Sequence, residues 1–265
     1  MVAVSAAALN EVYLVDGTDV CGGTSVDVHT DARAVITGVN NYFGNEVAYL
    51  DDVDGDGLDD LAIGAPTDDT AGTNHGAVFL FLDSPSGNVD AADADVIVLG
   101  SENNGYLMKV TQASDDVQGP GHPYLLFGQQ ADTHGHLGVV RVDPSDLTGK
   151  SSVGLLAVAD GGVSTFSTDR IMSAVNLGDM GTDGADELVI GAWTPGIISV
   201  RNLTGTVSDQ DLSIEITTPA DAWYTGVTAI GDRRYRRGSA RGHARPRGGL
   251  ARRRRARSQL HPPCR

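Results

Sequence analysis

Asp52, Asp54, Asp56 and Asp60 stand at positions 1, 3, 5 and 9 of the segment Asp-Val-Asp-Gly-Asp-Gly-Leu-Asp-Asp. Anionic oxygens at this spacing suit a hard cation, and calcium is the one that takes a large shell of oxygen ligands. Gly57, at position 6, supplies the sharp bend, because glycine reaches positive φ without steric cost. The carbonyl of Leu58 at position 7 is then expected to point inward as a further ligand. The alternative, a solvated acidic turn with no ion, leaves four carboxylates at ligand spacing to repel one another.

The flanking elements decide what kind of site this is. An EF-hand requires a bidentate Glu at position 12 and a helix on each side. Position 12 here is Ile63, which cannot bind a cation. A dockerin-type module fails for the same reason. Leu61–Gly64 is a short apolar run halted by Ala65-Pro66, the signature of a buried strand. The loop is therefore predicted to join two strands.

The pattern recurs. Residues 115–128 align without a gap on 51–64, which places Asp116 at position 1, 64 residues after Asp52. Residues 178–192 align again, with Asp179 in first place 63 residues further on. A fourth start is visible at Ala229-Ile230-Gly231-Asp232, preceded by the strand-like Trp223–Ile230. Each unit is expected to hold four strands. The first strands are Glu46–Leu50, Lys109–Ala113 and Ile171–Asn176, and the second are Leu61–Gly64, Tyr124–Gly128 and Leu188–Gly191. The third are Ala77–Leu82, Gly138–Val142 and Ile197–Arg201, and the fourth are Val96–Leu99, Gly154–Val158 and Leu212–Thr217. Val12–Val15 and Ala34–Thr37 read as the third and fourth strands of a preceding unit. Four short strands at a fixed period are propeller blades. The expected fold is all-β: a partial, open β-propeller of about three and a half four-stranded repeats over residues 1–232, with 233–265 set apart.

The arrangement resembles the FG-GAP repeat of integrin α-subunit β-propellers and their prokaryotic relatives. Phe43-Gly44 matches the FG element, loop 52–60 the calcium site, and Gly64-Ala65-Pro66 the GAP element. Later units depart from it: Leu107-Met108 replaces FG in the second, and Gly191-Ala192-Trp193 replaces GAP in the third. The resemblance implies a ring of typically about seven blades, structural calcium, and a non-enzymatic module. Such a module presents loops to a protein or glycan ligand at the cell surface, or elsewhere outside the cell. It leaves that ligand unnamed. Two other readings stay open: the non-catalytic propeller portion of a larger extracellular hydrolase, and a frameshifted fragment without function.

The three loops are not equal. The second, 116–124, offers Asp116, Gln118, Pro120 and Tyr124 at the side-chain positions, and one carboxylate is too few to hold an ion. The third, 179–187, keeps Asp179, Asp183 and Glu187, with the Ala185 carbonyl as a further donor. Gly181 contributes no side chain there, so a water would complete a weaker site.

Composition sharpens the picture. Acidic residues number 35 and basic residues 19, and only six of the latter precede residue 233. The body thus carries a formal charge of −29 and the last 33 residues +13. A surface so acidic and so poor in lysine suits a halophilic organism, and it excludes nucleic acid as a partner of the body, since binding phosphate needs a cationic face. Cys21 and Cys264 are too few for a disulfide framework. No run reaches the ~18 apolar residues of a membrane span. Met1–Leu9 lacks the basic start of a signal peptide, and Asn202-Leu203-Thr204 is a glycosylation sequon.

The basic run from Arg233 reads either as an arm for anionic surfaces or as the fourth blade translated out of frame. The second fits codons: CGN read one base later becomes GNC, which encodes the residues of DxDxDG loops. On that reading the missing blades, or a neighbouring chain, are the propeller's partners. His75, His122, His134 and His136 read as polar turn residues, with a transition-metal site as the alternative. Trp193, Trp223 and Tyr224 read as packing between blades. No nucleophile elbow, phosphate-cradling glycine loop or Cys-x-x-Cys pair is present, and the clustered aspartates leave no isolated acid/base pair.

Overall fold

Short runs of Val, Ile, Leu and Phe, punctuated by Gly, Asn, Asp and Pro, build seventeen strands among the described residues. The computed structural model describes residues 1–22, 25–39, 42–50, 52–54, 56–107, 109–113, 124–129, 139–147, 149–164, 171–176, 187–192, 197–201 and 212–216. All of them fall in a structural unit spanning Met1–Ala229.

The strands form four sheets. The first contains β1 (Val2–Ala6), β2 (Glu11–Val15) and β3 (Ala34–Thr37). The second contains β4 (Glu46–Leu50), β5 (Asp60–Ala65), β6 (Ala77–Phe81) and β8 (Val96–Leu99). The third holds β9 (Lys109–Ala113), β10 (Tyr124–Gly128), β11 (Val139–Val142) and β13 (Ala159–Ser164). The fourth holds β14 (Ile171–Asn176), β15 (Glu187–Ala192), β16 (Ile197–Arg201) and β17 (Leu212–Ile216). Within each, chain neighbours pair antiparallel, as when Glu46 faces Gly64 and Leu50 faces Asp60 across β4 and β5. These are the blades of an open, partial β-propeller.

Side-chain alternation along the second sheet gives it two buried faces. Leu61, Ile63, Ala77, Phe79 and Phe81 pack with Val12, Leu14, Ala34 and Ile36 of the first sheet. Ala62, Val78, Leu80, Val96 and Val98 pack with Leu125, Phe127 and Val142 of the third. Because successive strand residues point to opposite faces, one strand serves both cores. Each fully buried Leu, Ile or Phe contributes about 1.5–3 kcal/mol of transfer free energy, so the two cores hold three sheets in a stack.

Two strands lie outside the four-strand pattern. β7 (Gly87–Asp90) runs parallel to β3, with Val89 opposite Ile36. β12 (Ser152–Gly154) runs parallel to β8, with Val153 opposite Val98. Each leaves its own blade between the third and fourth strands and adds to the outer strand of the blade before. The fourth strand of the third sheet is accordingly β13, not Gly154–Val158. Leu155–Ala157 is instead a 3-10 turn, and it buries Leu155 and Val158 in the core. An apolar run that is buried as a turn gives the same sequence signal as a strand. The apolar start of the chain also differs from expectation: Val2–Ala6 is itself the strand paired with β2.

Candidate metal centre

The loop between β4 and β5 closes a hairpin whose last strand pair is Leu50 and Asp60. Its aspartates first satisfy the loop's own backbone. Asp56 N–H donates to Asp54 Oδ1 at 3.1 Å, Leu58 N–H to Asp56 Oδ1 at 2.7 Å, and Gly57 N–H to Asp52 Oδ2 at 2.9 Å. These side-chain acceptors substitute for ladder bonds that a turn cannot make. Gly57 takes φ +92, with open space where a Cβ would be, so backbone conformation alone requires glycine there. Leu58 is half exposed, and its backbone N–H is tied to Asp56.

Carboxylate oxygens of Asp52, Asp54 and Asp56 come within 4.8 Å of one another. Asp60 is not part of that set. It opens β5 and is 1% exposed. One of its oxygens, Oδ2, accepts from Val53 N–H at 2.6 Å, while the other, Oδ1, is buried without a hydrogen-bond partner. Burial pushes the Asp60 carboxyl up to about 7; the Val53 N–H pulls the other way, and Asp54, Asp52 and Asp56 push it further up. A buried, unpaired carboxylate oxygen costs free energy unless a proton or a cation meets it. Hard anionic oxygens are the donors calcium prefers, so this residue set fits that ion. Val53, whose amide fixes Asp60, was not legible as a site residue. Position 2 of such a loop carries no side-chain requirement.

Phe43 and Gly44 hold the near end of this hairpin. The Phe43 ring is fully buried and meets Phe79 edge-on at 5.3 Å between centroids. Gly44 takes φ +85, and a Cβ there would come to 3.0 Å from Ser5 Oγ and from Val12 Cγ2. Its N–H donates to the Gly64 carbonyl at 3.0 Å, which ties the lead-in turn to β5. Phe43, Gly44, Gly64, Ala65 and Pro66 therefore form one structural joint, with the acidic loop at its far end. The FG-GAP repeat family matches residues 43–81, which include all five and the loop. Residues 43–81 therefore carry an FG-GAP repeat.

It is also 36% identical over 99 residues to integrin alpha-5 of Xenopus laevis, a stretch amounting to 36% of this chain and 9% of that protein. The chain thus spans a small part of that relative's length. A crystal structure of BBS1N in complex with ARL6DN shares 11% identity, with a TM-score of 0.28 over 65% of this chain and 55% of that one. A likeness that faint has no bearing on the fold.

Of the other candidate residues, Glu187 opens β15 in the place Asp60 has in β5, and Tyr124 opens β10. Asp179, Asp183 and Ala185 lie outside the described residues, as do Asp116, Gln118, Pro120, His122, His134, His136, Trp193, Trp223, Tyr224 and Asp232. His75 sits in a turn, with Nδ1 at 3.0 Å from the Gly100 carbonyl and Nε2 at 3.1 Å from Asn103 Oδ1. Among the described residues, no helix is long and apolar enough to cross a membrane.

Proposed function

We propose that the 52–60 loop binds calcium as a structural ion and that the repeat array is a non-catalytic interaction module working outside the cell or at its surface. Asp52, Asp54, Asp56 and Asp60 supply carboxylates and Leu58 its carbonyl. Asp179, Asp183, Glu187 and the Ala185 carbonyl form a weaker site in the third loop. The observation that carries this reading is Asp60: a buried carboxylate with one oxygen unpartnered, next to three carboxylates gathered within 4.8 Å. Calcium there would neutralise the cluster and pin β4 to β5. The FG-GAP match and the likeness to an integrin α-chain support both the ion and the adhesive role, toward a protein or glycan ligand. On this reading the module is residues 1–232, and the Arg-rich 233–265 takes no part in it.

The test is thermal unfolding with calcium and with a chelator, at high salt. Saturating calcium at about 100 times its Kd stabilises by about 2.7 kcal/mol, which appears as a rise in Tm. Asp54→Ala is expected to abolish that rise. An unchanged rise in the variant would remove this loop as the main calcium site.

A further inference from the structure

Two loops meet at one end of the second sheet, where Gly76 bridges Leu107. Residues 66–76 join β5 to β6, and residues 100–107 lead the chain from β8 of the second sheet toward β9 of the third. Asn104 N–H donates to the Thr73 carbonyl at 2.8 Å, Tyr106 N–H to the Asn74 carbonyl at 3.0 Å and Leu107 N–H to the His75 carbonyl at 2.9 Å. Asn74 Nδ2 donates to Asn104 Oδ1 at 2.9 Å. Ser101 N–H, at 3.1 Å from Gln129 Oε1, ties the second loop to the residue that follows β10. Asn74, Asn104 and Tyr106 take φ of 48°, 57° and 49°. Left-handed backbone in residues other than glycine persists only where surrounding contacts impose it.

His75 stands between these loops, and the atoms facing its ring fix its protonation. Nδ1 lies 3.0 Å from the Gly100 carbonyl, a group that can only accept. Nε2 lies 3.1 Å from Asn103 Oδ1. Thr73 N–H donates to that same oxygen at 3.0 Å, which sets the amide's orientation, because turning it over would put its NH2 against a donor. Both ring nitrogens therefore face acceptors. A neutral imidazole has one N–H and one lone pair, so it satisfies one oxygen and sets its lone pair against the other. Only the imidazolium donates to both. With both nitrogens so engaged, the ring has no lone pair for a transition metal. The other ionisable side chains of the two loops are Asp68, Asp69, Glu102 and Tyr106. Asp68 accepts from Thr70 N–H at 2.9 Å and Asp69 from Asn74 N–H at 2.7 Å. Gln129, at the end of β10, is neutral, so no second cation on these segments competes for the two oxygens.

We infer that His75 is a pH-sensitive clasp between the segments leading out of the second sheet and into the third. It is closed in acid, when the imidazolium holds Gly100 and Asn103 together, and it loosens as the proton leaves and one of the two bonds is lost. Histidine is the side chain whose ordinary change of charge falls between pH 5 and 8. The change is local, since His75, Gly100 and Asn103 belong to neither the β5–β6 nor the β6–β8 ladder. What the clasp releases is the left-handed backbone of 100–107.

The test is amide hydrogen exchange of the full 265-residue chain from pH 5 to 8, at fixed calcium, with rates corrected for the intrinsic effect of pH on exchange. Protection at Thr73, Asn104, Tyr106 and Leu107 is expected to fall about tenfold across that range, the size of one charge-assisted hydrogen bond. His75→Gln should remove the dependence on pH; it keeps Asp60, and so separates the clasp from titration of the acidic loop. Asn103→Asp puts a carboxylate before Nε2 and should move the fall to higher pH. Protection that stays constant from pH 5 to 8 in the unaltered chain would overturn the inference. So would an undiminished fall in His75→Gln, or a fall in Asn103→Asp at the same pH as in the unaltered chain.

Discussion

β5 and β1 carry nearly the same five-residue pattern and hold the same place beside their third strands, yet their environments are opposite. Every residue of β5 is buried, while β1 exposes both of its valines. The difference lies in neighbours. β5 has strands on both edges and a sheet on each face; among the described residues, β1 has one strand beside it. β-propensity measures fit to a half-buried surface and not an intrinsic backbone preference, and these two strands separate the terms. β5 is joined to β4 through the acidic loop, and Asp60 belongs to both loop and strand.

Truncation should separate them most widely. Ile63→Ala empties a fully buried site and is expected to cost about 2–5 kcal/mol in urea unfolding. Val4→Ala, in the matching place of β1, should fall within about 0.5 kcal/mol in dilute protein. Equal costs would mean that β1 is already covered.

The next effect concerns the joint itself. Without calcium, the Asp60 carboxyl titrates at about 7 in the folded chain, against an ordinary value of 3.8. A folded-state value above the unfolded one stabilises below the unfolded value, and that contribution is lost as pH rises through about 7. In chelator, therefore, Tm should fall between pH 4 and 7, and Asp60→Asn should flatten that fall. Calcium competes with the proton for the same oxygen, so its affinity should rise with pH over the same window. A Tm in chelator that does not depend on Asp60 would break the link between burial and the ion.

Gly57→Ala should have a smaller effect, about 1 kcal/mol, because φ is left-handed but the Cβ meets open space. Gly44→Ala should cost more, since the added methyl meets Ser5 and Val12 in addition to the backbone strain. Chemical denaturation of the two variants in parallel checks that order.

Much of the blade was legible because its signals are local. β4, β8, β9, β10, β14 and β16 lie where apolar runs and Gly or Pro place them, and the FG-GAP repeat at 43–81 is marked by Phe43-Gly44, the acidic loop and Gly64-Ala65-Pro66. What escaped is set by other segments. β7 and β12 are short and mostly exposed, with no alternation to mark them, and they are strands only because a preceding blade offers an edge. Leu155 and Val158 are apolar for a turn's packing and imitate a strand. In the loop, the alternate aspartates could be read directly. The burial of Asp60, its unpartnered oxygen and the Val53 amide depend on how β5 is covered, which spacing alone does not encode.

Isothermal calcium titration of the full chain and of Asp54→Ala, both at high salt, tests the central claim most directly. Calcium binding to the 52–60 loop predicts that the variant binds one calcium fewer per chain and that the lost site is the tightest. Identical titrations for the two proteins, or no binding to either, would contradict it.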